Sequence, residues 1–495
     1  MATYFCNCGE NIDNYNLCIE HNVAGFPSNG YEIGSLVYLI VKEKGNWKLG
    51  AKGILKNITN NKPWADAEKY QSAFDIDWQT LTPKIDVTTD LQNIYKPNFG
   101  LAIQGKKDID TFQGKGDELK EKFNSYFKNE NPTKNIMVDS VLLTAIKTKP
   151  FIILAGISGT GKSRLVRTLA YQTCNKEELR QEPKKPGNFE LIPVRPNWHD
   201  SSELMGYVSR INGVKYITTS FLKFIAKAWK HKEIPFFLCL DEMNLAPVEQ
   251  YFAEYLSIIE TRQVQNKEVV TDFLISKVSF ENDGEGLYFQ LLKDLGLDAS
   301  QFPEGISIPS NLIVMGTVNM DETTHSFSRK VLDRAMTFEM NEVDLKAGLE
   351  ASKNDWSYPS EYITATEVLG RYTSGAEVYK ESFIDREEVL KFLEEKINAV
   401  LKKTPFQIAY RVRDEFLIYC YYASLNSTNQ DWLTNALDAM THMKILSRIE
   451  GDETKTEKVL RELKGRLTEK YKKSYDKLEE MEARLKDNGY TSFWS

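Results

Sequence analysis

The most specific chemical signal in the sequence is the stretch Gly156 to Ser163, GISGTGKS. A triphosphate presents several negative charges, which must be met by directional donors with no bulky wall in the way. Glycines at 156, 159 and 161, with Ser158 and Thr160 between them, let successive backbone N–H groups turn inward. A helix that follows directs its positive end at the same point. Lys162 is the cation for the β- and γ-phosphates, and the Ser163 hydroxyl is an oxygen ligand for Mg²⁺. The G-x4-G-K-S spacing also stands in its required context, with the apolar run Phe151 to Leu154 before it and the helix-compatible RLVRTLAYQ after it.

Further along, the apolar run Phe236 to Leu240 ends in Asp241 and Glu242. Open α/β sheets place ligands at the carboxyl ends of their strands. Asp241 is therefore the candidate to hold Mg²⁺ through water, and Glu242 the candidate to orient and deprotonate an attacking water. Another buried strand, Asn311 to Gly316, leads into Thr317-Val-Asn319. A carboxamide at the tip of a strand beside the acidic one can hold that water or sense the γ-phosphate, which is the role read for Asn319. The segment SFSRKVLDRAMTFEM supplies Arg329 and Arg334 on a helix. In a ring of subunits either would enter a neighbour's site and stabilise transition-state charge, with a surface salt bridge as the competing reading. YRVRDE places Arg411 and Arg413 either against phosphate or on a solvated helix.

These residues need a scaffold, and at 495 residues the chain is long enough for two or three domains. Residues 1–128 alternate as a small mixed α/β, barrel-like domain, with strands at Tyr4 to Cys8, Leu36 to Lys42, Trp47 to Leu55 and Phe74 to Trp78 and a helix at Asn14 to Asn22. NENPTK, 129–134, reads as a polar linker. Residues 129–340 read as an α/β nucleotide-hydrolase core. Within it, Ala246 to Thr261 is one helix with a core-packing face, and 263–305 is a polar insertion placed to line a pore or meet a partner. Residues 341–495 are helical by pattern, including Glu387 to Leu401 and the run from Leu460 to Leu485. They would pack behind the nucleotide as a lid, with Phe493 and Trp494 docked in a groove.

With 41% hydrophobic and 27% charged residues, the composition is that of a globular protein, and there is no apolar run near bilayer length and no secretion signal. The formal net charge of -7 excludes a uniformly basic nucleic-acid coat but not a local basic groove. Six cysteines in so long a chain point to a reducing, cytoplasmic setting rather than a disulfide framework. Cys6, Cys8, Cys18 and His21 form a C-x-C and C-x2-H arrangement, read as buried thiols with a zinc site as the alternative.

The N-terminal arrangement ENIDNYNLCIEHNVAGF, YEIGSLVYLIV and FDIDW resembles the EVE, YTH and PUA-like barrels. That resemblance implies binding of DNA or RNA, with a modified or flipped base stacked on aromatics. Tyr15, Trp47, Trp64 and Trp78 are the candidates here, with packing as the alternative for each. The set GISGTGKS, FFLCLDEMNLAPVEQYFAEYLSIIE and VMGTVNMDETTHSFSRKVLDRA resembles the AAA+ motor of McrB-type restriction proteins. This implies an AAA+ P-loop NTPase core with a C-terminal helical lid. It also implies a homo-oligomeric ring, usually hexameric, Mg²⁺-dependent hydrolysis of GTP or ATP, and a separate McrC-type nuclease subunit. Lys162, Ser163, Asp241, Glu242 and Asn319 carry over to the motor site and Arg334 to the arginine acting in trans. A MoxR-like remodeller acting on a protein partner is the alternative.

Overall fold

The computed structural model describes residues 3–8, 10–95, 115–128, 140–181, 185–211, 213–284, 286–320, 325–341, 358–359, 362–381, 385–426 and 431–494. The linker expected at 129–134 and residues 321–324 of the NMDETTH segment lie outside them. The chain forms two compact units, Met1–Lys134 and Asn135–Ser495.

The first unit is built on strands β1 (Thr3–Asn7), β2 (Val23–Phe26), β3 (Leu36–Glu43), β4 (Asn46–Ile58), β5 (Ser72–Ile76) and β6 (Gln79–Asp86). They run in the order β1-β3-β4-β5-β2, with β6 also paired to β4. Alternation along β1 divides the core, since successive side chains of a strand point to opposite faces. Tyr4 and Cys6 pack with Phe26 and Phe74 on one side, while Phe5 packs with Tyr38, Trp47 and Phe123 on the other. Lys44 (φ 49°) and Gly45 (φ 87°) make the tight turn between β3 and β4, where hairpin twist favours positive φ. The 13-residue β4 pairs with β3, β5 and β6, with register shifts in each pairing that curl the sheet. Closure into a barrel does not follow, because β1 and β2 end the strand order and no described residues pair them.

The second unit centres on a five-stranded parallel sheet of β7 (Phe151–Gly156), β8 (Phe189–Pro193), β11 (Phe236–Asp241), β16 (Leu312–Asn319) and β17 (Met336–Glu339), ordered β17-β7-β16-β11-β8. The intervening β9 (Tyr207–Ser209) and β10 (Lys215–Ile217) form a small hairpin. In the insertion, β12 (Gln263–Gln265) pairs β13 (Glu268–Val270), and β14 (Phe273–Ser276) pairs β15 (Gly305–Ser307). The near-continuous apolar runs of β7, β11 and β16 suit a sheet covered on both faces. One face, Ile152, Leu154, Phe237 and Met315, packs in a single core with the C-terminal helices. The other, Ile153, Leu238 and Val314, packs with the helix Ser220–Lys230 and the insertion. The mixed α/β class holds, but the helical part expected as a third domain at 341–495 lies within the same compact unit as the sheet.

Three long helices expected from periodicity are interrupted. Ala246 to Thr261 divides into Val248–Tyr251 and Ala253–Ile258, and the Glu387 to Leu401 helix passes through a wider turn at Leu393–Asn398. The Leu460 to Leu485 pattern splits into Glu453–Leu467 and Lys472–Asn488 at Thr468, whose φ of 58° cannot continue a right-handed helix. After the last helix, β19 (Tyr490–Ser492) pairs β18 (Glu450–Asp452). Phe493 is buried and Trp494 packs on Phe327 at a ring separation of 5.5 Å, as a docked terminus requires.

Candidate functional site

The sheet order sets β16 between β7 and β11, so three strand ends meet on one edge. Asn319 stands opposite Gly156 in the β16–β7 register, while Gly316 of β16 stands opposite Leu240 of β11. Gly156 is required by close approach, since a Cβ there would lie 2.4 Å from the Met340 carbonyl oxygen. Gly159 and Gly161 are required by conformation, with φ of 83° and 84°. The helix Lys162–Thr173 starts directly after them, with no side chain capping its first N–H groups.

Lys162 is buried and folded onto its own loop, its ammonium donating to the Gly156 and Ile157 carbonyls at 2.9 and 2.8 Å. The Ser163 hydroxyl donates to Asp241 Oδ1 at 2.5 Å. The same oxygen accepts from the Thr317 hydroxyl at 2.8 Å, and Thr317 Oγ1 accepts the Glu242 N–H at 2.9 Å. Asn319 Nδ2 donates to Glu242 Oε1 at 3.3 Å. Glu242 is held at φ 53°, a conformation that costs a side-chain-bearing residue about 1–2 kcal/mol. The turn persists because its N–H is captured and its neighbour Met243 is buried against Gly316. Lys162, Ser163, Asp241, Glu242 and Asn319 thus converge from three strand ends.

Two members of the site escaped the sequence reading. Thr317 joins the two carboxylate residues, and its signal was its place two residues before Asn319, hence on the same face of the strand. Asn341 accepts the Ile157 N–H at 3.2 Å and donates to Glu339 Oε1 at 2.7 Å. No local pattern marks it. Glu339 also receives Lys477 at 2.7 Å. Burial pushes its carboxyl up, but His442 and Lys477 outweigh this and hold it below the usual range. Beside the loop, a cleft of about 640 Å³ is lined by Thr160, Glu339, Asn341, His442, Asp476 and Lys477, among others.

Other expected site residues stand elsewhere. Arg329 donates to the Pro405 carbonyl at 2.7 Å and lies over the Phe406 ring, and Arg334 faces Glu260 at 3.7 Å. Neither forms a hydrogen bond or ion pair with the phosphate loop or with Asp241 and Glu242. Arg411 also pairs with Glu260 and Arg413 with Asp414, so neither touches the loop of its own chain.

In the first unit the proposed stacking cage is not open. Tyr15, Trp47 and Trp64 are buried in the two cores, and half-buried Trp78 donates its N–H to the Cys18 carbonyl at 3.0 Å. Their apolar area does more for folding when it is removed from water. Cys6, Cys8 and Cys18 are buried together there, while His21 is exposed at the end of the helix Ile12–Glu20. Among the described residues, no three His, Cys, Asp or Glu side chains are grouped to hold a metal ion. Nor is any described helix long and apolar enough to cross a membrane.

No curated protein matches the chain. Residues 366–490 match the family model of a domain of unknown function, DUF8727. That match takes in Arg411, His442 and Lys477 and leaves the phosphate loop, Asp241, Glu242 and Asn319 outside.

Proposed function

We propose that the chain is an AAA+ P-loop nucleoside triphosphatase. In this reading it is the ring-forming motor and DNA-recognition subunit of a McrB-like restriction system, turning over GTP or ATP to drive DNA translocation or to activate a separate McrC-type nuclease. The observation that carries the reading is the convergence of Lys162, Ser163, Asp241, Glu242 and Asn319, joined through Thr317, at the carboxyl edge of one parallel sheet.

The chemistry follows from these contacts. Lys162 exchanges its two carbonyl partners for phosphate oxygens, and the loop N–H groups and helix end share the remaining charge. Ser163 and Asp241 offer oxygen donors alone, the set that suits Mg²⁺, and they are the residues that would hold it. Bound there, the ion supplies neutralisation of phosphate charge. Glu242, steered by Asn319, orients an attacking water and accepts its proton. The cleft beside Thr160 has the volume of a nucleoside pocket.

Turnover of GTP and ATP by the purified full chain, side by side and with Lys162→Ala as control, tests the reading. Turnover abolished by the substitution supports it, and Glu242→Gln should bind nucleotide without hydrolysing it. Absence of turnover with both nucleotides would remove the hydrolase assignment.

A second reading, a MoxR-like remodeller of a protein partner, is favoured by one observation, the burial of Tyr15, Trp47 and Trp64 in the N-terminal unit. Adding methylated or unmethylated duplex separates the two. Stimulation of turnover by either duplex favours the restriction reading, and indifference to both favours the remodeller.

A further inference from the structure

A second concentration of charge lies apart from the phosphate loop, where Glu260 meets the 329–335 segment and the C-terminal helices. The Glu260 carboxylate receives Lys149 at 3.2 Å, Arg334 at 3.7 Å and the Arg411 guanidinium in close contact. Lys149 also reaches Glu415 at 2.7 Å, and Glu415 pairs with Lys444 at 2.9 Å. Buried Lys444 donates in addition to the Leu332, Asp333 and Ala335 carbonyls, fixing the backbone around Arg334. Arg448 pairs with Asp333 at 2.9 Å.

Five cations therefore share three carboxylates. Buried Nη1 of Arg448 has no hydrogen-bond partner, and Nε of Arg334 makes an ion pair but no hydrogen bond. Burial lowers the Arg448 pKa, and the nearby like charges of Arg329 and Arg411 lower it further, against the pull of Asp333 and Glu415. Uncompensated positive charge in a partly buried place is unfavourable until an anion joins it. Guanidinium groups with spare donors match the oxygens of a phosphoryl group. The place is also reachable, since the Arg411 side chain is 45% exposed.

We propose that Arg334, Arg411 and Arg448 form an oxyanion site for a phosphoryl group, and that Glu260 holds the two outer arginines in register until that group displaces it. Two sources supply the same chemistry: the terminal phosphate of a nucleotide bound in a second copy of the chain, or a free phosphate or pyrophosphate. The first source rests on the hydrolase reading, and the site itself does not.

The probe is inorganic pyrophosphate, titrated calorimetrically into the full chain. Binding should survive Lys162→Ala, fall at least about tenfold in Arg411→Ala and in Arg334→Ala, and tighten in Glu260→Gln, since each charged hydrogen bond is worth about that factor. Binding lost in Lys162→Ala and indifferent to both arginine variants would overturn the site and return the ligand to the phosphate loop. Glu260→Gln keeps the side-chain shape, so tightening there guards against a misfolded arginine variant being misread.

Turnover then separates the sources. If Arg411→Ala and Lys162→Ala chains are each inactive alone and recover activity when mixed, the phosphate comes from the neighbouring copy. If Arg411→Ala retains turnover while losing pyrophosphate, it comes from solution. A wild-type chain without turnover would sink the hydrolase reading and leave the pyrophosphate titration to decide this one.

Discussion

Replacing Thr317 with valine removes one hydroxyl while keeping side-chain volume, at a position 2% exposed. That hydroxyl donates to Asp241 Oδ1 at 2.8 Å and accepts the Glu242 N–H at 2.9 Å. A hydrogen bond to a charged carboxylate contributes about 1.5–3 kcal/mol, and an orphaned buried N–H costs about 1–3 kcal/mol. The second loss falls on a residue already held at φ 53°. We expect Thr317→Val to lower the unfolding free energy by about 2–4 kcal/mol in urea denaturation. Nucleotide turnover should fall about 100-fold, because a displacement of about 1 Å at Glu242 is enough for that. Thr317→Ser keeps the hydroxyl and loses one methyl, so it should cost about 0.8 kcal/mol and leave turnover within a few-fold. If serine and valine behave alike, or valine leaves both stability and turnover intact, the hydroxyl does not hold the carboxylate pair and this reasoning fails.

Gly156→Ala should cost about 1–3 kcal/mol because its Cβ meets the Met340 carbonyl at 2.4 Å. Gly159→Ala should cost about 1–2 kcal/mol from positive φ alone, since no atom lies within 4 Å of its Cβ. Urea denaturation of the pair measures both. Burial raises the Glu415 carboxyl, but Lys149 and Lys444 outweigh it and hold the pKa below the usual 4.5. A lowered carboxyl pKa contributes stability that is present above the unfolded value and lost as pH falls through the folded one. Wild-type stability should therefore fall more steeply than that of Glu415→Gln as pH drops below 4.5, while at pH 7 the variant is the less stable, with two lysines stripped of their partner. Trp64→Ala should destabilise the N-terminal unit by about 3–5 kcal/mol, as loss of a core aromatic does. An unchanged thermal transition of that unit would restore the stacking role.

The phosphate loop and the acidic pair were legible because their chemistry is contiguous, a strand, a fixed spacing and a helix within one short stretch. Thr317 was half legible, its periodicity visible but its two bonds dependent on a strand 75 residues away in sequence. Asn341 was silent, since its hydrogen bond to Ile157 spans 184 residues. Arg411 drew attention by type and was placed wrongly, because nothing local tells which carboxylate an arginine will find, and it found Glu260. The N-terminal tryptophans show the complementary failure. Aromatic content says how much area is available to bury, and whether it becomes core or cage is decided by strands paired far apart in the chain. The break at Thr468 was hidden for a different reason: leucines spaced for one helix serve equally well for two that pack on each other.

The core that the sheet shares with the C-terminal helices constrains motion. A hinge that lifted those helices away would expose Ile152, Leu154, Phe237 and Met315 to water, and at about 1.5–3 kcal/mol per side chain such an opening would take a large part of a domain's stability. Displacement along the packed surface costs far less, since contacts slide without being uncovered. Signals between the phosphate loop and the matched helical region therefore travel as a small shear, and the Ile157–Asn341–Glu339–Lys477 chain of hydrogen bonds is stiff enough to transmit one. A spectroscopic pair designed to detect domain opening would record almost nothing, whereas one set across Asn341 and Lys477 would register sub-ångström change.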